Sequence, residues 1–314
     1  VKVLFISTPR APTLNVGSNG LGRHVYDFIS KFVENGDNVS VIAHPNSKFE
    51  WDNIKKYGFH DEHASVFSIL EFMKKEKFDV IIDNTHHKRL STICNNDFPI
   101  LNFIHDEECP YMPPNTLLGN DRQKIKYPQG KVFTTGIRFK NYSLFDFEKK
   151  KNYFSFCGKL EKRKGFDIAL EAAKLAGVKI VFAGPDLFGY SKDLPEWIGE
   201  IKEHSKFCEF VGSSKALFYP SRADAGGMGI WEACALGTPV LTTTDSGAQC
   251  NVIHGKTGFI ANNLTELSQF SKRIEEKDLK PEEVRETAKQ IWDLDKNFEN
   301  IYDLVVRLSE GERW

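Results

Sequence analysis

The sequence predicts an α/β protein made of two doubly wound domains, and three observations carry that prediction. Short apolar runs alternate with helical patterns from one end of the chain to the other. Most of those runs are continuously apolar, as in strands covered on both faces of a parallel sheet. The chain has 314 residues, 40% of them apolar and 27% charged, which is enough for two cores in domains of about 150 residues each.

In order, the expected strands of the first half are 1–7, 38–43, 78–83, 99–105 and 131–135. Those of the second half are 153–157, 178–183, 207–211, 216–219, 239–243 and 257–260. Each is a run of Val, Ile, Leu, Phe or Tyr of strand length, bounded by polar residues or glycine. Helical patterns lie between them, including 20–33, 166–176 and 229–236, and 282–307 reads as helical pieces that close the chain. The charged stretch Asp146-Phe147-Glu148-Lys149-Lys150-Lys151-Asn152 precedes a new strand and marks the boundary between the halves. In sheets of this kind ligands bind beyond the carboxyl ends of the strands, so residues just past a strand carry the most functional weight.

Composition excludes several classes. Lys+Arg 42 against Asp+Glu 43 gives a net charge of -1, so a nucleic-acid-coating role is not expected. The six cysteines Cys94, Cys109, Cys157, Cys208, Cys234 and Cys250 show no C-x-x-C, which suggests reduced thiols in a cytoplasmic protein. No apolar run approaches the roughly 20 residues of a membrane span. No signal peptide is expected from the strand-like opening, which lacks an initiator Met. The stretch Phe72-Met73-Lys74-Lys75-Glu76-Lys77-Phe78 would suit a weak membrane-surface contact or an ordinary helix end.

The most informative segment runs from Ser221 to Val240. Asp224 and Glu232 flank the turn Gly226-Gly227-Met228-Gly229, which leads into a helix. Glycines leave backbone amides uncovered at a helix N-terminus, which is an anion site, and two carboxylates beside it suit a sugar diphosphate. The plain alternative is an N-capping Asp, a flexible turn and an incidental Glu. A second motif, Gly158-Lys159-Leu160-Glu161-Lys162-Arg163-Lys164-Gly165, puts Lys159 and Lys164 at a strand end, where they can converge on one dianion or form a solvated basic loop.

A third, glycine-rich stretch from Gly17 through Gly20 to Gly22 follows the first strand and offers further amides. It matches neither G-x-G-x-x-G nor G-x-x-x-x-G-K-[ST]. His105-Asp106 lies just past another strand, suited to a sugar hydroxyl, to charge at a reacting carbon, or to capping the sheet edge. His86-His87 near Asp83 lacks a third metal ligand at a recognisable spacing. Asp293-Leu294-Asp295 reads as a solvated helical face.

Together these motifs resemble family-4 retaining glycosyltransferases of the GT-B fold, with the resemblance covering nearly the whole chain. Gly17–Gly22, His105-Asp106, the Gly158–Gly165 motif, the Asp224 to Glu232 spacing with Ala235-Leu236-Gly237-Thr238-Pro239-Val240, and Gly255-Lys256-Thr257-Gly258-Phe259 occur in the family's order. The resemblance implies two Rossmann-like domains facing across a cleft: an acceptor-binding domain at 1–147, a nucleotide-sugar-binding domain at 148–290, and a C-terminal helix at 291–314 packing back on the first. It implies a nucleotide-sugar donor, UDP- or GDP-linked, and a sugar, lipid-linked or small-molecule acceptor, with no cofactor and no metal.

By carry-over, Lys159 and Lys164 bind the diphosphate, and Gly20, Gly226, Gly227, Met228 and Gly229 contact donor phosphate and sugar. Glu232 holds the ribose, Asp224 the donor-sugar hydroxyls, and His105 the sugar near its reacting carbon. The chain departs from the family where Lys159 replaces Arg, Asp224 replaces Glu, and Ala225-Gly226 stands for Gly-aromatic. The segment 212–215 also reads as short for the family's connecting helix. A nucleotide-sugar epimerase or phosphorylase of the same fold, or a silent nucleotide-sugar binding protein, are the competing readings.

Overall fold

A computed structural model describes residues 1–8, 12–14, 20–58, 66–94, 97–105, 109, 113–276 and 279–314. The chain divides into two compact units, one of Val1–Asn15, Asn19–Thr135 and Leu294–Trp314, the other of Val16–Ser18 and Gly136–Asp293.

The first unit runs β1 (Lys2–Ile6), α1 (Gly20–Glu34), β2 (Asn38–Ala43), β3 (Lys55–Gly58), α2 (Val66–Glu76), β4 (Val80–Asp83), α3 (Arg89–Cys94), β5 (Ile100–Ile104), β6 (Thr116–Leu118) and β7 (Lys131–Val132). Its seven strands are ordered β3-β2-β1-β4-β5-β6-β7, and all the pairings are parallel. The central strands are buried along their length, because helices cover both faces. One face packs Phe5, Phe28, Phe32 and Phe103 in edge-to-face contacts.

The second unit runs β8 (Phe154–Cys157), α4 (Phe166–Ala176), β9 (Ile180–Ala183), α5 (His204–Ser213), β10 (Leu217–Tyr219), α6 (Met228–Ala235), β11 (Val240–Thr243), β12 (Gly258–Ala261), α7 (Leu264–Glu275) and α8 (Pro281–Trp292). Its five strands, also all parallel, are ordered β12-β11-β10-β8-β9. The final helix, α9 (Leu294–Ser309), belongs to the first unit. There Phe298, Ile301 and Val305 join the cluster of Phe28 and Phe32.

Each sheet has one point where strand order reverses, between β1 and β4 in the first unit and between β8 and β10 in the second. Such reversals open a crevice at the carboxyl ends of the strands.

Several expectations are corrected. The run 207–211 is not a strand but part of α5; Phe207, Phe210 and Val211 stand at helical spacing, and Phe210 and Val211 enter the core. The connecting helix is therefore not reduced to 212–215. β3 and β6 were not expected. Asp293-Leu294-Asp295 is not a solvated face, since Asp293 and Leu294 are buried and Asp295 pairs with Lys31 at 2.9 Å. Phe72 packs against Tyr57 and Phe78, so the apolar residues near the end of α2 serve the core. All six cysteines are free thiols. Among the described residues no helix is long and apolar enough to cross a membrane.

Candidate active site

In the second unit the candidate residues gather beside the strand-order reversal. After β8 the chain makes a 3-10 turn over Lys162–Lys164 and reaches Gly165 with φ at +77°. A Cβ there would collide with the carbonyl oxygen of Pro220. Glycine alone lets this loop lie against the segment that follows β10.

The two loops are stitched together. The Arg222 amide donates to Arg163 O at 2.9 Å, the Ser221 hydroxyl donates to the same oxygen at 3.1 Å, and Arg163 donates to Ala223 O at 2.9 Å. Arg222 grips the Asp167 carboxylate with two hydrogen bonds, 2.7 and 2.9 Å.

This stitching brings Lys164 to Asp224. Lys164 Nζ lies 2.5 Å from Asp224 Oδ2, and the Tyr219 hydroxyl donates to that same oxygen at 2.8 Å. Burial first, then the charge of Asp224, pushes the Tyr219 hydroxyl well above its ordinary pKa. Tyr219 therefore remains a hydrogen-bond donor at any working pH. Glu232 is near enough for its charge to add to that shift.

The glycine turn lies on the same tyrosine. Gly227 caps α6 with φ at +98°, and a Cβ there would stand 3.0 Å from three atoms of the Tyr219 ring end. The Gly226 carbonyl accepts from Asn251 Nδ2 at 3.0 Å. Ile230 N bonds Gly227 O at 2.9 Å, while first-turn amides ahead of it have no intrahelical acceptor, which leaves Met228 and Gly229 suited to an anion. Glu232 is buried on α6, and its Oε1 accepts from the Tyr142 hydroxyl at 2.8 Å. Lys159 is exposed, and among the described residues no ion pair joins it to Asp224.

The first unit carries a different cluster at the ends of β4 and β5. Asp83 and Lys88 are both fully buried. Lys88 Nζ donates to the Asp83 carbonyl at 2.8 Å and lies 3.4 Å from its Oδ1, which also accepts from the Thr85 amide and hydroxyl at 2.8 and 2.7 Å. His105, just past β5, donates from Nε2 to Asn84 Oδ1 at 3.0 Å; an amide oxygen only accepts, which places the ring proton on Nε2. Burial first, then the Lys88 cation and the neighbouring His24 and His86, holds the His105 pKa well below its ordinary value. His105 is neutral at neutral pH.

His86 reaches the Thr8 hydroxyl at 3.2 Å, and no group of metal-ligating side chains forms among the described residues. Gly20 is the first residue of α1. Asp106 and residues 17–19 of the glycine-rich stretch lie outside the described residues.

Sequence reasoning did not find Tyr219, Tyr142, Asn251, Asn84 or the Arg222–Asp167 grip. Tyr219 closes an apolar strand run and reads there as core. A pocket of about 490 Å³ along α5, lined by Lys151, Tyr153, Glu203 and Lys206, contains none of the candidate residues.

Residues 143–291 match the family model of Glycosyl transferases group 1. The chain is similar to the capsular polysaccharide biosynthesis glycosyltransferase CapM of Staphylococcus aureus, 24% identical over 215 residues, covering 57% of this chain. That match spans 55% of the relative, little more than half of its length. Among solved structures, AviGT4, a glycosyltransferase involved in avilamycin A biosynthesis, superposes with a TM-score of 0.83 at 18% identity, covering 100% of this chain and 99% of that one. HepE of Anabaena gives 0.77 at 17%, covering 98% and 100%, and sucrose-phosphate synthase of Thermosynechococcus elongatus gives 0.78 at 14%, covering 99% of each. The two parallel sheets with their surrounding helices are the fold of these structures. The family model lies within the second unit, and the curated relative is itself a glycosyltransferase.

Proposed function

We propose that the chain transfers a sugar from a nucleotide-diphosphate sugar to an acceptor hydroxyl, with retention of anomeric configuration and without a metal. The observation that carries this reading is the meeting of Lys164, Asp224 and Tyr219 beneath the glycine-capped start of α6. A cation and a helix N-terminus suit a diphosphate, and the adjoining carboxylate suits sugar hydroxyls.

In this reading Lys164 and Lys159 neutralise the diphosphate, aided by the amides of Gly227, Met228 and Gly229. Asp224 accepts from the donor sugar, and Glu232 from the ribose. Charge neutralisation at the leaving diphosphate lowers the barrier to breaking the glycosidic bond. His105 serves the transfer step as a neutral imidazole, which does not repel the positive charge of an oxocarbenium-like state. HepE has been solved with UDP and with UDP-glucose, so uridine-linked sugars are the first donors to test. The six free thiols support a reducing, cytoplasmic setting.

The experiment is a panel of UDP- and GDP-sugars offered with sugar and lipid-linked acceptors in EDTA, with the product anomer read by NMR. Transfer with retained configuration is expected. His105→Ala is expected to keep nucleoside diphosphate binding while slowing transfer at least about tenfold, or 1.4 kcal/mol in the barrier. An inverted product overturns retention. Activity that returns only with added Mg²⁺ or Mn²⁺ overturns metal independence, and isomerised or phosphorolysed donor replaces transfer with the competing reaction.

A further inference from the structure

We infer that Tyr219 is a positioning residue: its hydroxyl holds the Asp224 carboxylate in place for the donor sugar when Lys164 turns from Asp224 to the diphosphate. The inference rests on the donor-binding role proposed above for this site.

Three observations support it. Asp224 Oδ2 accepts from both Lys164 and Tyr219, while among the described residues its Oδ1 takes no hydrogen bond and stays available to a sugar hydroxyl. Lys164 cannot serve a diphosphate in full while it neutralises Asp224, because one ammonium 2.5 Å from a carboxylate has its charge largely compensated there. Once the lysine is drawn away, an Asp on a loop would be free to change rotamer. The tyrosine prevents this, because its ring is fixed.

That fixation is visible in the packing. The Tyr219 ring sits under Gly227, whose absent side chain makes room for it, and lies at contact distance from Gly229; its backbone is the last residue of β10 with Thr242 Oγ1 donating to its carbonyl at 2.8 Å. The hydroxyl therefore reaches Asp224 from a rigid strand rather than from a loop.

The test is Tyr219→Phe, which keeps the ring under the glycines and removes only the hydroxyl. Three readouts are taken: nucleoside diphosphate affinity by calorimetry, kcat and KM for the nucleotide sugar, and the same kinetics in an Asp224→Ala background. Diphosphate affinity is expected to change by less than about threefold, while transfer falls about tenfold or more, the scale of a hydrogen bond lost from a charged acceptor. In the Asp224→Ala background the tyrosine substitution is expected to have almost no further effect, because its partner is gone. A purely structural role would lower diphosphate binding and transfer together and would remain additive with Asp224→Ala, and either result overturns the inference. If wild type binds diphosphate and Tyr219→Phe transfers at the wild-type rate, the inference falls while the proposed function stands. If wild type binds no nucleoside diphosphate, both fall.

Discussion

Both units place a polar cluster at strand carboxyl ends, the first at β4 and β5 and the second after β8 and β10, yet they build them in opposite ways. In the first unit the charges are sealed in: Asp83 and Lys88 are fully buried and neutralise one another, and His105 beside them is uncharged. In the second the charges stay near solvent, with the side chains of Lys164 and Asp224 23% and 15% exposed and Lys159 exposed outright. A buried, self-neutralised pair fixes backbone and orients neutral hydrogen-bonding groups. A partly exposed pair can exchange its partner for a ligand. The first arrangement suits a rigid support and the second suits an anion site.

That contrast can be broken most forcefully at the sealed pair. Lys88→Met leaves a buried carboxylate without its cation, and the first unit is expected to lose about 3–5 kcal/mol. Urea unfolding monitored by fluorescence checks this, and Asp83→Asn added to Lys88→Met should recover a good part of the loss. If Lys88→Met leaves the midpoint unmoved, the pair is not the support described.

The open pair predicts a binding effect instead. Lys164→Ala is expected to weaken nucleoside diphosphate binding by about 1.5–3 kcal/mol, the worth of a charge-assisted bond. Asp224→Asn should leave that affinity unchanged or tighten it, because the lysine is released and a negative charge is removed. Calorimetry distinguishes the two, and equal losses in both variants would erase the difference between the units.

The smallest effect sharpens the comparison by pH. His105 has its native pKa depressed, so below the unfolded-state value of about 6.5 the unfolded chain binds a proton that the native chain refuses. The stability this group contributes is therefore present above about 6.5 and is lost as pH falls towards its native pKa. Urea midpoints between neutral and mildly acidic pH should fall accordingly, and His105→Gln should flatten that slope. A midpoint that rises on acidification through this window would contradict the neutral assignment.

The buried strands were legible because each is a continuous apolar run. β3, with the sequence Lys55-Lys56-Tyr57-Gly58, was not, since it pairs on one side only at the sheet edge and stays largely exposed. The three-residue β6 is too short to carry a pattern. Phe207–Val211 was misread because a short apolar run fits a buried strand and a helix face alike. In the candidate site, Lys164, Asp224 and the glycine turn announced themselves through local charge and glycine spacing. Tyr219 could not, because its strand position reads as core, and its bond to Asp224 depends on how the loop after β10 turns back on the strand end, which carries no sequence period.

The return of α9 to the first unit also sets the order in which the chain can be completed. A chain made from its N-terminus delivers Phe28 and Phe32 early, but Phe298, Ile301 and Val305, which finish their cluster, come only after the second unit. The second unit, Gly136–Asp293, has emerged in full before they do. The part synthesised first is thus the part finished last, and its aromatic surface stays open while the later unit folds. A break anywhere in the middle of the chain separates the first unit from its own last helix.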